Sequence, residues 1–497
     1  MKLTSSTTIG LIAEYNPFHN GHAYQLAKLR ERYPEAAIVV MMSGSFAQRG
    51  LAAVADKWTR AAWAVQGGAD LVLELPYAFA CRSAEHFATG GVQSLAALGC
   101  VEALAFGAEA ESIETLEKAA ACMDDVALQD ALHERIQKGA SYATAMSAEV
   151  AERTGVAPEV LRAPNNILGI EYLRAVRKFA PEMEPLLVQR VGAGYHDEKF
   201  RGNFASASAI RAALNFLAPS QRELSSDSET EGVSQARLTR CTMEPYAGVE
   251  SNDISPRKKQ SRIKNNDVVR LPQSPTAPAP SQKGPYIEGT PFINKSTNWE
   301  SLRQVMPEYV FDILQESVPH HLPRQDFLLR PLLSRLLLLD GATLSAVCGM
   351  GEGLEHRLLE MAQEAQAWEG LVGAVATRRY PRSRIARLLV HVLTGFTAEA
   401  AAAFDATGPR YLRVLAMNAR GARLLHRAKK TARLPIITKT SQLLKSKDLL
   451  RPCASLTPVQ QLLRFDVRAT ELRELAVPER RRNGADFRTS PLFFGSL

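Results

Sequence analysis

Short apolar runs separated by polar, helix-forming segments recur through the first 217 residues of the chain. Ile9, Leu11 and Ile12 begin the series, and Ala37–Met42 (AIVVMM) is a β-branched run suited to a buried parallel strand. Leu71–Leu75, Ala103–Phe106, followed at once by Gly107, and Leu186–Arg190 repeat the pattern. The intervening segments read as helices. His22–Arg32 is rich in Ala, Leu, Lys and Glu. Asp56 is placed to cap a helix through Val65 that Gly67 and Gly68 end, and Ser83 opens another. After Pro164, Asn165 and Asn166, the positions Ile167, Leu168, Ile170, Leu173 and Val176 fall on one helical face. This alternation predicts a doubly wound α/β parallel sheet. Ligands in such a sheet bind at the carboxyl ends of the strands, where His19, Ser43, Gly44 and Gly107 fall.

The pattern breaks at Pro219. From there to Asn298 the chain is dominated by Ser, Pro, Gln, Asn and charged residues, with PQSPTAPAPSQKGP at 272–285 and PRKKQSRIK at 256–264. So little apolar surface cannot offset the entropy of ordering, and the stretch reads as a disordered insertion. Three units follow: residues 1–218, the insertion 219–298, and a mainly helical, basic region 299–497. In the last, Gln325–Asp340, Gly353–Ala367 and Arg384–Thr394 carry helical apolar spacing. Pro409–Leu425 and LPIITK at 434–439 read as a small strand, helix and strand packed beside those helices.

Charge adds a partner class without deciding it. The 60 Lys and Arg exceed the 52 Asp and Glu by 8, a balance that suits RNA but also a mildly basic enzyme. Arg378, Arg379, Arg382, Arg384 and Arg387 gather around Tyr380, which suits RNA phosphate contacts and base stacking; a charged helix face fits equally. Lys57 and Arg60 lie one turn apart and are expected on a solvated face. The cysteines Cys81, Cys100, Cys122, Cys241, Cys348 and Cys453 show no CxxC pair and no zinc spacing, which fits a reduced, cytoplasmic protein. Residues 1–6 do not resemble a signal peptide, and no apolar stretch of about 18 residues predicts a membrane span.

The strongest chemical signal is TIGLIAEYNPFHNGH at Thr8–His22. Asn16 and Pro17 stop the first strand, and His19 and His22 then sit one turn apart at a helix start. Gly21 between them permits close backbone approach, and a helix start offers N–H groups and a positive dipole end to phosphate. Two imidazoles there can donate to phosphate oxygens as charge builds, without either acting as a base. An isolated HxGH recurs by accident; the strand before it and the helix after it favour a nucleotide site.

HNGH at 19–22 after a first strand resembles the signature of the HxGH nucleotidylyltransferases, whose sheet is Rossmann-like. The longer strings GLIAEYNPFHNGH, MSGSFAQRG at 42–50 and LPYAFA at 75–80 resemble the bacterial tRNA(Met) cytidine acetate ligase family. The likeness runs to about Leu217 and resumes in the C-terminal part, as at RVLAMNARG. It implies that acetate is activated with ATP and that the acetyl group passes to the wobble cytidine of elongator tRNA(Met).

For the site, the resemblance implies ATP contacts along Ile9, Gly10, Leu11, Ile12, Ala13, Glu14, Tyr15, Asn16, Pro17, Phe18, His19, Asn20, Gly21 and His22, with His19 and His22 catalytic. It adds Gly107, one of Asn165 and Asn166, and an ATP-binding Arg190, with Tyr195, His196 and Asp197 in the same loop. FASASAIRAAL at 204–214 resembles the second superfamily signature, in which hydroxyls and backbone amides hold the terminal phosphates; Ser206 and Ser208 can cap this helix, and Arg211 lies on its first turn. Ala207 and Ala209 stand where hydroxyl residues are common, so phosphate contacts are fewer. Ser43, Gly44, Gln48 and Arg49 lie in a polar loop after the second strand that can reach a bound nucleotide or the acyl substrate; an ordinary surface loop is the alternative. Mg²⁺ commonly accompanies ATP phosphates, but no carboxylate pair dictates a site. Two rival functions share parts of this pattern. A small-molecule adenylyltransferase leaves the basic half without a task, and a non-catalytic RNA-binding protein makes the phosphate motifs coincidental.

Overall fold

The computed structural model describes residues 7–137, 142–190, 203–218, 299–351, 353–481 and 483–495. Five strands, β1 (Thr8–Ala13), β2 (Ala37–Ser43), β3 (Leu71–Leu75), β4 (Ala103–Ala108) and β5 (Glu184–Gln189), run parallel in the order β5-β4-β1-β2-β3. Every residue of β2 and β3 is buried, as expected for parallel strands covered on both faces. Gly107, expected just after its strand, lies within β4.

Ten helices link and flank these strands: α1 (Asn20–Arg32), α2 (Lys57–Gln66), α3 (Tyr77–Ala80), α4 (Ala84–Ala97), α5 (Ile113–Met123), α6 (Val126–Gln137), α7 (Tyr142–Thr154), α8 (Pro158–Arg162), α9 (Pro164–Phe179) and α10 (Ala207–Leu217). One core joins α4, α5 and α9 to the sheet through Phe87, Leu95, Leu116 and Tyr172. The other joins α1, α2 and α10 through Leu26, Trp63, Ile210 and Leu214. The sheet is therefore covered on both sides, as the alternating pattern implies.

The chain after residue 299 departs from expectation. β6 (Leu412–Asn418) pairs antiparallel with β3, and β7 (Ile436–Ile437) and β8 (Leu492–Phe494) lie parallel along the far edge of β6. The strand–helix–strand expected beside the C-terminal helices thus extends the central sheet. Burial explains it: Leu412–Met417 is buried along its whole length, and pairing covers the hydrogen-bonding edge that β3 would otherwise expose. The apolar run Gln325–Asp340 is also not one helix. A 3₁₀ turn (Gln325–Leu328) leads into Leu329–Leu338, and Asp340 caps a separate turn (Gly341–Ser345) by accepting from the Thr343 N–H.

Lys57 and Arg60 are not on a solvated face; both are fully buried. Lys57 Nζ lies 2.7 Å from Glu74 Oε1 and 2.7 Å from Asp486 Oδ1. Arg413 completes the balanced group, 3.1 Å from Glu74 Oε2 and paired with Asp486. Two positive and two negative groups from α2, β3, β6 and the last helical turn thereby tie the C-terminal strands to the sheet. The Arg60 guanidinium donates to the carbonyls of Glu14 (2.6 Å), Ser43 (3.1 Å) and Gly44, the loops following β1 and β2. Arg60 therefore holds together two loops that leave the sheet at its ligand-binding end.

Candidate active site

Beyond β1 the chain turns sharply. Tyr15 has φ +47°, a left-handed conformation unusual for a bulky residue, and its ring is buried. The turn delivers His19 to the N-cap of α1. His19 Nδ1 accepts from the Gly21 N–H at 3.0 Å, and the His19 N–H donates to His22 Nδ1 at 3.2 Å. This is a reciprocal capping arrangement built from two imidazoles. Their rings stack with centroids 3.7 Å apart, and Tyr15 meets His22 edge-on at 4.8 Å. Gly21 is needed for this: a Cβ there would lie 2.9 Å from His19 Cε1.

With both δ nitrogens accepting, each neutral ring carries its proton on Nε2, and both rings line one cavity of about 320 Å³. Burial, reinforced by the Arg190 and Arg211 charges, pushes the His19 pKa down to about 3. Burial, His19 and Arg190 hold His22 well below the usual histidine range. The pair consists of neutral donors at physiological pH. A stability consequence follows for His19. Its pKa is lower in the folded protein, so below its ordinary pKa the unfolded chain binds the extra proton and stability falls with pH. The loss sets in as pH drops through about 6.5 and continues toward 3. Thermal unfolding between pH 8 and pH 4 should show this slope, and a His19→Asn variant should flatten it; equal slopes would count against the buried neutral ring.

The start of α1 does not present the free N–H groups expected of it. The Asn20 N–H donates to Val305 O, the Gly21 N–H to His19 Nδ1 and the His22 N–H to His19 O. The start of α10 leaves N–H groups open. Ser206 caps it by accepting from the Ala209 N–H at 3.1 Å, while the Ala207 and Ser208 N–H groups have no partner among the described residues. Arg211 donates to Asn16 O at 2.7 Å and to Ser208 Oγ at 3.0 Å, joining α10 to the turn after β1. Ala207 lines the cavity and Ala209 is buried, so hydroxyls come from Ser206 and Ser208.

The asparagine pair divides its work. Asn166 is buried, accepts from the Glu109 and Ala110 N–H groups and donates to Val160 O, which fixes the end of β4 against α9. Asn165 lines the cavity, steered by the Glu109 carboxylate 2.5 Å from its Nδ2.

Of the other expected residues, Ile12, Ala13, Glu14, Tyr15, Asn16, Gly107, Arg190, Gln48 and Arg49 also line the cavity. Ile9, Gly10 and Leu11 are strand interior; a Cβ on Gly10 would meet Leu95 at 2.7 Å. Pro17 is not in the cavity wall, Phe18 is buried against Gly67, and the Asn20 amide holds the carbonyls of Asn203 and Gln304. Ser43 and Gly44 are buried and engaged by Arg60. Tyr195, His196, Asp197 and the 219–298 insertion lie outside the described residues. Pattern reading missed Gln25, Glu109 and an apolar wall of Phe87, Phe106, Leu168 and Tyr172. Glu109, two residues past Gly107, could have been flagged as a carboxylate at a strand end; the apolar residues look like ordinary core.

Four of the five clustered arginines meet. Arg378, Arg379, Arg384 and Arg387 line a second cavity of about 570 Å³ with Arg82, His86 and His391. Arg382 does not line it and pairs with Glu369 at 2.6 Å. The first turns of α4 separate the two cavities: Ala84 and Phe87 face the first, Ser83 and His86 the second. Arg387 Nη1 reaches the carbonyl of Gln48 at 3.3 Å.

The chain matches the model of the HIGH nucleotidyl transferase family over residues 6–267 and 290–486. A tRNA(Met) cytidine acetate ligase from Syntrophotalea carbinolica is 32% identical over 95% of this chain and 94% of its own length. Another from Syntrophomonas wolfei is 30% identical over 97% of this chain and 99% of its own. Among solved structures, apo Thermotoga maritima TmcAL superposes with a TM-score of 0.74 at 28% identity, covering 99% of this chain and 100% of that one. The same protein bound with α-thio ATP superposes with a TM-score of 0.71 at 28% identity and the same coverage.

Proposed function

Because the chain belongs to the HIGH nucleotidyl transferase family and, within it, to the tRNA(Met) cytidine acetate ligases, we propose that its cavity forms acetyl-adenylate and delivers the acetyl group to the wobble cytidine of elongator tRNA(Met). The observation that carries the site assignment is convergence: two neutral imidazole donors, Arg190, Arg211 and the start of α10 face one cavity above the carboxyl ends of β1 and β4.

An acetate oxygen attacks the α-phosphorus of ATP; the new O–P bond replaces the bond to pyrophosphate, which departs. His19 and His22 donate Nε2–H groups to the phosphate oxygens as charge develops, and neutral donors need give up no proton. Arg190, Arg211, Ser208 and the Ala207 and Ser208 amides hold the departing phosphates. Asn165, Gly107 and the Glu14–Asn16 turn position the nucleotide. In the second step the exocyclic amine of an unstacked cytidine attacks the acetyl carbon, AMP departs, and the amine proton is lost to solvent. Arg378, Arg379, Arg384 and Arg387 line the RNA approach.

Among the described residues no group of three His, Cys, Asp or Glu could hold an ion such as Mg²⁺. No described helix is long and apolar enough to cross a membrane. We assign the activity to the cytoplasm on account of its tRNA substrate.

Asn165→Ala should raise the KM for ATP about tenfold with an unchanged unfolding midpoint. Asn166→Ala should instead cost ~1–3 kcal/mol of stability by orphaning the Glu109 and Ala110 amides. Parallel ATP titrations and urea unfolding read both. The function itself is tested by incubating protein, ATP, labelled acetate and elongator tRNA(Met), then digesting the RNA for mass spectrometry. N4-acetylcytidine at the wobble position with equivalent AMP is expected; AMP formation with no label in RNA would favour a small-molecule adenylyltransferase.

A further inference from the structure

We propose that the outer face of the helix Ala419–Ala428, with the turn that follows it, is a second RNA-docking surface that grips the phosphate backbone of the tRNA away from the anticodon loop. The inference rests on the tRNA reading above.

The helix buries Gly421, Leu424, Leu425 and Ala428 against the sheet. Arg420, Arg423, Arg427 and Lys430 recur at three- and four-residue spacing on the side turned away, and Lys429 and Arg433 extend the group. Arg423, Arg427, Lys429, Lys430 and Arg433 are exposed, and none forms an ion pair among the described residues. Arg420, at the edge of the group, pairs with Glu35 at 3.8 Å and donates to the Pro34 and Ala36 carbonyls. Like charges a turn apart repel, so an uncompensated stripe is a standing cost that a polyanion would relieve. Spread over a helix face and the following turn, the cations match a run of backbone phosphates better than a single small anion.

Position supplies the second argument. The Arg433 N–H donates to Ala97 O at 2.8 Å and Thr431 Oγ1 to Leu98 O at 3.1 Å, so the stripe ends against the C-terminus of α4. The N-terminus of α4 is the partition between the two cavities, where Ala84 and Ser83 lie. The 14 residues of α4 span about 21 Å at 1.5 Å per residue, which sets the separation between stripe and reaction site. A ligand touching both must be extended and anionic along its length, as an RNA stem is and a free nucleotide is not.

The test is tRNA binding as a function of salt by the wild type and by Arg423→Glu/Arg427→Glu/Lys430→Glu, with ATP affinity and unfolding midpoint as fold controls. With both controls unchanged, the variant should bind tRNA at least tenfold more weakly and its log K against log salt slope should be shallower by about three. Steady-state acetylation should show the loss in the KM for tRNA and not in kcat. Equal affinity and slope in variant and wild type would overturn the surface while leaving the tRNA reading intact. A wild type that binds no tRNA would overturn both. If the triple variant fails its fold controls, Arg423→Gln/Lys430→Gln, which adds no negative charge, is measured instead, and an unchanged salt slope there overturns the proposal.

Discussion

His22→Ala is expected to slow acetate-dependent exchange of pyrophosphate into ATP by roughly 10²–10³-fold, the usual cost of removing one preorganised donor from a developing oxyanion. The magnitude rests on the ring's state. His22 Nδ1 is occupied by the His19 N–H, burial keeps the ring neutral, and its Nε2–H is therefore a fixed dipole rather than a titrating acid. A fixed donor that tightens only as charge grows on phosphate stabilises the transition state more than bound ATP. The loss should therefore fall on kcat, with the KM for ATP nearly unchanged. A raised KM with kcat preserved would mean that His22 merely binds the nucleotide. The substitution also orphans the His19 N–H, so the unfolding midpoint should be measured beside the rate to separate chemistry from a loosened turn.

Asp486→Ala should lower stability by ~3–5 kcal/mol, measured by urea unfolding, because it removes the carboxylate that the buried Lys57 and Arg413 share. The effect should reach the nucleotide. Lys57 opens α2, and Arg60 on the same helix holds the Glu14, Ser43 and Gly44 carbonyls, so ATP affinity should fall with stability. A loss below about 1 kcal/mol would show that the four charges are better solvated than their burial implies. Replacing the group as a whole by apolar residues of similar volume is expected to recover much of the loss.

These two sites differ in how well the chain advertised them. The HNGH turn was legible because strand, turn and helix signals converge locally on residues 9–32, and α10 was legible from Ser206 to Arg211. Lys57 and Arg60 were read the wrong way, since a helix with charges a turn apart looks solvated. The carboxylates that hold Lys57, Glu74 and Asp486, lie 17 and 429 residues away in sequence, and Arg413 joins the group only through them. β6 was legible as a strand but not as a neighbour of β3, because edge pairing depends on which strand is left uncovered. Which helix start keeps free N–H groups, α10 and not α1, was hidden for a similar reason. Val305, some 285 residues beyond Asn20, takes the first α1 donor, and no local pattern shows it. Asn166 illustrates the converse: its motif was conspicuous, yet its amide is consumed in holding Glu109 and Ala110.

The most direct test is exchange of labelled pyrophosphate into ATP by the wild-type protein, with acetate present or omitted and with elongator tRNA(Met) present or omitted. Exchange that requires acetate is expected, since reversible acetyl-adenylate formation is the only route by which the label enters ATP. Exchange that proceeds without any carboxylate, or none with acetate even when tRNA is supplied, would contradict the assignment.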